Sequence, residues 1–172
     1  MLSQRQMTAE EFLLFVDQHP DKRFDFVDGE IVEVSPKRLH GRTQTIVVVE
    51  LEQYTHENPI GIVHTETLHD LQGRFFLPDV SVNRPTDSDY FTEPPILVVE
   101  IRSDTQSRES QRRKARAYIE RGTAMVWLFM PGEGVEVYRP GHEPVALTPD
   151  DTLTGYDVLP GFNVLVRTFF PE

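Results

Sequence analysis

The chain has 172 residues and a mass of 19.8 kDa, which suits one domain spanning residues 1–172 with a core of useful size. Hydrophobic residues at 38% and charged residues at 26% indicate a folded globular protein rather than a disordered one, and the lack of cysteine excludes disulfides, thiolate metal sites and cysteine nucleophiles. A formal charge of −11 argues against indiscriminate nucleic-acid binding, because contacts to phosphate need lysine and arginine.

The opening stretch MLSQRQMTAEEF lacks the apolar centre of a signal peptide, and no apolar run approaches membrane-spanning length. A cytoplasmic protein without membrane contact is the expectation. Thr8 and Glu11 form a capping box, and Phe12, Phe15 and Val16 recur at helical spacing. This predicts a helix from Ala9 to about Gln18, stopped by Pro20. From Phe24 to Val34 the pattern alternates around Asp28-Gly29, which predicts a hairpin through a type I′ turn.

Residues 40 to 58 pull two ways. The run Thr45-Ile46-Val47-Val48-Val49 favours a strand. Thr43, Val47, Leu51 and Tyr54 nevertheless share one face at helical spacing, and the length exceeds a normal strand. The prediction is a helix. Ile62 to Leu68 reads as a strand, Gln72-Gly73 as a hairpin turn, and Phe75 to Asn83 as the partner strand. That puts Asp79 on a strand, with Pro78 before it implying an edge or strand-start position.

Residues 85 to 95 form a polar, proline-bearing loop, and Ile96 to Ile101 is an apolar run of buried-strand type. A helix follows from Ser107 to Arg121, stopped by Gly122. Strands are predicted over Ala124–Met130 and Val135–Arg139, then a loop-rich tail. Trp127, Phe75 and Phe76 are candidate core residues.

The chemistry-bearing stretch lies between Pro78 and Lys114. Asp79 and Glu100 each adjoin an apolar run, and Lys114 stands on the next predicted helix. Two carboxylates and a lysine are the parts of a metal-dependent phosphodiesterase site, since Mg²⁺ takes oxygen ligands and usually one or two protein carboxylates. A glutamate closing a buried strand is costly unless it is paired or metal-bound. Between Arg102 and Arg121 seven cationic residues face three acids. Such a surplus is either a solvated helix face or a patch for phosphate. No Walker-type loop, G-x-S-x-G elbow or H-E-x-x-H helix is present.

Several segments together resemble the Uma-two (Uma2) family of endonucleases, within the PD-(D/E)XK restriction-endonuclease-like superfamily. They stand as MTAEEF, FDFVDGEIVEVSP, HGR, LPDVSV, ILVVEIRS, KARAYIERG, MVWLFMP with VEVYRPG, and LPGF. Each is weak alone; their joint order covers nearly the whole chain. The resemblance implies an α/β fold, a mixed β-sheet flanked by helices, with a Mg²⁺- or Mn²⁺-dependent nuclease centre, DNA as substrate and a homodimer. Asp79 matches the metal-binding aspartate and Glu100 the second acid. Arg102 stands two residues further on, where the simplest superfamily pattern has lysine, and Lys114 takes that lysine's place on the following helix. Glu30 matches a recurrent acid near the metal, and His40 a family histidine. His40 and Arg113 are the candidates for contacting substrate.

Two departures stand out: Arg102-Ser103-Asp104 replaces an apolar residue followed by Ser-Pro, and Asp25 stands where glutamate is common. An arginine does not serve as a base in a protein. Arg102 either pairs with Glu100 or clamps a substrate phosphate. A structural reading stands beside each assignment: Asp79 as a turn carboxylate, Glu30 as a hairpin residue, Lys114 at the border of an apolar stripe with its amine in solvent. The rival function is a catalytically inactive binding or oligomerisation module of the same fold.

Overall fold

The computed structural model describes residues 7–27 and 29–171. At its centre is a six-stranded mixed sheet in the order β10-β9-β8-β7-β6-β3. These strands are Ile62–Thr65 (β3), Val80–Asn83 (β6), Leu97–Ile101 (β7), Met125–Met130 (β8), Gly134–Tyr138 (β9) and Val145–Leu147 (β10). Only β7 and β8 run parallel; the other neighbours are antiparallel. A parallel neighbour requires a crossover, here made by helix α3, Arg108–Glu120.

The sheet is covered on both faces, which is why β7 and β8 are buried along their whole length. On one face Leu97, Val99, Ile101, Trp127 and Phe129 pack against helix α2, Arg38–Glu57, and the apolar end of the chain. On the other, Val98, Val126 and Leu128 pack against Ala115 and Tyr118 of α3. A third cluster joins helix α1, Ala9–Asp17, to the hairpin of β1, Arg23–Val27, and β2, Glu30–Val34, through Phe12 and Phe26.

The capping box on α1 forms as predicted, with Thr8 and Glu11 exchanging bonds of 3.2 and 2.8 Å. The ambiguous stretch is helical: Thr43, Val47, Leu51 and Tyr54 are its buried face. Tertiary burial of that stripe overrides the β preference of its branched residues. Asp28, half of the predicted hairpin turn, lies outside the described residues.

One predicted hairpin is interrupted, and two expectations need correction. The strand predicted over 62–68 ends at Thr65 and pairs with β6, inside the predicted partner, with Ile62 opposite Asn83 and Thr65 opposite Val80, the register that a turn at Gln72-Gly73 sets. Nearer that turn the same register continues as a separate two-stranded piece, β4, His69–Leu71, with β5, Arg74–Phe76. Gln72 and Gly73 both take positive φ, 57° and 79°, the conformation of a tight primed turn. Pro78 ends β5's excursion because it has no N–H for a ladder. Asp79 is therefore at a strand start, but β6 lies between β7 and β3 and is no edge. The tail is more regular than predicted, with β10, a pair formed by β11, Thr152–Thr154, and β12, Asn163–Leu165, and a final turn of 3₁₀ helix. Its Phe169 is buried against Phe129, and its carbonyl accepts from Thr43 at 3.0 Å. Among the described residues no helix is long and apolar enough to cross a membrane.

Candidate active site

The register between β6 and β7 brings the two candidate acids together. Val80 is opposite Val99 in this antiparallel pair, so Asp79, one residue back, meets Glu100, one residue on. Directly opposed residues share a face of the sheet. Asp79 Oδ2 accepts from the Ile101 N–H at 2.7 Å, and Oδ1 is 3.2 Å from His40 Nε2. His40 comes from the first turn of α2.

Glu100 points away from the face of Leu97, Val99 and Ile101 and toward α3, where Lys114 and Tyr118 are one turn apart on the same side. Tyr118 donates to Glu100 Oε1 at 2.8 Å, and Lys114 Nζ lies 3.0 and 3.1 Å from the two carboxylate oxygens. Lys114 also donates to both oxygens of Asp25 on β1, at 2.9 and 3.0 Å. The alternation that sends Phe26 into the α1 cluster sends Asp25 the opposite way. Asp25, Asp79, Glu100 and His40 all line one cleft of about 1140 Å³.

This cluster carries more negative than positive charge. Burial pushes the Glu100 carboxyl up to about 8, with Asp79 and Asp25 adding to the rise and Lys114 opposing it. Burial works against the Lys114 charge, yet Glu100, Asp25 and Asp79 outweigh it and hold the amine well above its ordinary value. The lysine thus keeps its proton, and the carboxylate whose charge the cluster disfavours is Glu100, which is only 3% exposed. For His40, burial favours the neutral ring, but the hydrogen bond and charge of Asp79 prevail and raise it. Burial, then Glu100, raises the Tyr118 phenol and keeps it a donor.

The donors that face the cleft are carboxylate oxygens, the chemistry of a hard divalent cation. Among the described residues no three histidine, aspartate or glutamate side chains converge as a ready metal cage. The set therefore fits an ion of the Mg²⁺ type, which keeps several waters and takes one or two carboxylates. It does not fit a structural zinc site.

The other predicted residues are distributed unevenly. Glu30 is exposed and opposite Val27. It shares Asp25's face of the hairpin but lies nearer the turn, since Asp25 pairs with Val32. No hydrogen bond or ion pair joins it to Asp79, Glu100 or Lys114, so the acid that β1–β2 brings to the cluster is Asp25. The signal for it was available: an acid between two aromatics of a strand must face away from their core. Arg102 does not pair with Glu100, whose oxygens are engaged by Lys114 and Tyr118; its Nε is buried without a partner. Arg113 is exposed on α3. Lys114 is buried, not solvent-reaching. The basic run is largely engaged internally: Arg108 pairs with Glu133, Arg112 with Glu136 and Arg116 with Glu109.

Comparison with known proteins finds a family and a solved structure that this chain is similar to. A family model, Uma2, described as "putative restriction endonuclease", matches residues 9–167. Among solved structures, a crystal structure titled a "putative nuclease" from Anabaena variabilis aligns with a TM-score of 0.82, covering 95% of this chain and 97% of the other at 23% identity. At that identity the likeness speaks for the fold. No curated protein matches the chain.

Proposed function

The chain belongs to the Uma2 family of restriction-endonuclease-like proteins, and from that premise we propose that its cleft hydrolyses phosphodiester bonds of DNA with Mg²⁺ or Mn²⁺. The observation that carries the reading is the convergence of Asp79, Glu100 and Lys114, from three separate elements, within hydrogen-bonding networks that meet in one cleft. Asp79 and Glu100 would hold the metal. When bound, such an ion supplies Lewis-acid polarisation of the phosphoryl group and a water of lowered pKa.

The chain's own residues do the rest. The Ile101 N–H and His40 orient Asp79, while Tyr118 and Lys114 orient Glu100. Lys114, firmly protonated, stabilises charge developing on the phosphate and does not act as a base. Asp25 holds the Lys114 amine in line with Glu100. Arg102 contributes charge only. The family resemblance supports a cytoplasmic homodimer as the working form.

One observation favours the second reading, an inactive binding module. Two of the three carboxylates already share a resident cation in Lys114. Calorimetric titration with Mn²⁺ separates the two. Wild type should bind the ion and Asp79→Ala should not. Supercoiled plasmid should be nicked with metal and spared with chelator, and Asp79→Ala should lower the rate by about 10²-fold or more. Plasmid left intact by wild type across metals would favour the module.

A further inference from the structure

The cleft has two walls. One is the β1–β2 hairpin with the segment leading into α2; the other is formed by the ends of β3 and β7. Two ion pairs cross between them: Arg23 Nη1 to Glu66 Oε1 at 2.9 Å, and Lys37 Nζ to Asp104 Oδ2 at 2.8 Å. Arg23 and Glu66 line the cleft, and Lys37 and Asp104 adjoin lining residues Pro36, Ser103 and Thr105. All four side chains remain between 42% and 77% exposed. Exposed pairs of this kind favour closure by about fivefold at most.

A polyanion meets a difficulty here, because six acidic side chains line the cleft against two cationic ones, Lys22 and Arg23. The exchangeable cations at its mouth are therefore valuable to it. Glu66 is held in an unusual way. It is a non-glycine residue at φ 51°, a conformation that persists where its surroundings impose it. Its N–H donates to Pro78 O at 3.1 Å, and Gln44 Nε2 reaches both Glu66 Oε1, at 3.5 Å, and the Asp79 carbonyl, at 2.9 Å. The Glu66 carboxylate is thus fixed beside the Asp79 segment, and Arg23 is near enough to His40 to oppose its protonation. An anion exchanging with Glu66 on Arg23 would lie next to the candidate centre. Arg23 offers a planar fork suited to phosphate, of which one donor is in use.

We propose that Arg23 and Lys37 are phosphate-binding residues, and that Glu66 and Asp104 occupy them as carboxylate stand-ins until a nucleic-acid backbone displaces them. The inference rests on the nuclease reading. It makes the two ion pairs an autoinhibitory contact rather than a strap that merely joins the walls.

The test is fluorescence anisotropy with a labelled oligonucleotide, single-stranded and duplex, in chelator over a salt series. The Glu66→Gln/Asp104→Asn variant should bind about three- to tenfold more tightly than wild type. The Arg23→Gln/Lys37→Gln variant should bind at least about tenfold more weakly, with a log–log salt slope shallower by nearly two. Glu143→Gln/Asp157→Asn, two exposed acids outside the cleft, removes the same two charges, controls for net charge and should match wild type. The proposal is overturned if the acid variant binds no more tightly than Glu143→Gln/Asp157→Asn, or if the cation variant keeps wild-type affinity and slope. With plasmid still cleaved by wild type, those outcomes sink this inference alone. Wild type that neither binds oligonucleotide nor nicks plasmid sinks the nuclease reading with it.

Discussion

Helix α3 carries two clusters built from the same parts, a cation, a carboxylate and a tyrosine, yet they are balanced differently. At one, Arg112 Nε donates to both oxygens of Glu136 at 3.1 Å, and Tyr138 donates to Glu136 at 2.7 Å. Charge cancels one for one there. Burial would raise the Glu136 carboxyl, but Arg112 and Tyr138 outweigh it and hold it below its ordinary value. At the other, Lys114 answers Asp25, Glu100 and the nearby Asp79, and Glu100 moves the opposite way. A closed pair is a strut. A buried cluster with charge left over, opening on a cleft, marks a site that wants a further cation.

Removing the cations should separate the two most strongly. Lys114→Met strands Asp25 and Glu100 without their partner and should lower stability by about 3–5 kcal/mol, read by urea unfolding. Arg112→Met, at a partly exposed pair, should lower it by about 1–2 kcal/mol. Equal losses would break the comparison.

Removing the acids sharpens it. Glu100→Gln relieves surplus charge and can still accept from Tyr118, so stability should change by less than about 1 kcal/mol while plasmid nicking is abolished. Glu136→Gln should cost about 1–2 kcal/mol and leave nicking intact. A large stability loss in the first, or an activity loss in the second, would reverse the assignments.

The balanced pair should also respond to acid. Glu136 is depressed in the folded state, so its contribution is present above its unfolded value near 4.5 and lost as pH falls through the lower folded value. The stability gap between wild type and Glu136→Gln should therefore close toward pH ~3. A gap that stays constant from neutral pH downward would contradict the pairing. Smallest of all, Lys22→Ala at the Lys22–Glu33 pair, where both side chains are about half exposed, should change stability by less than about 1 kcal/mol.

Much of this architecture could be read from local pattern. The stripe of Thr43, Val47, Leu51 and Tyr54, the unbroken Leu97–Ile101 run and the Thr8–Glu11 box each declare themselves within a few residues. Asp79 and Glu100 were legible for the same reason: each is marked by its neighbours in the chain. The partner of Ile62–Thr65 was legible too, because Gln72-Gly73 marks the turn and both strand pairs around it keep one register. What local pattern did not give was the break after Thr65, beyond which the inner pair leaves the larger sheet.

What the sequence determined by itself was the main elements as far as β9, the family to which they add up, and the acids that end or precede buried strands. What only the tertiary structure decided was which charges meet. Lys114 reaches Asp25 across 89 positions of chain and Glu100 across 14, while Arg102, two residues from Glu100, does not pair with it. Periodicity and propensity are short-range properties of a chain. The balance of a buried charge depends on every carboxylate that packing brings within a few ångströms, and that sum exists only after the helix has docked on the sheet.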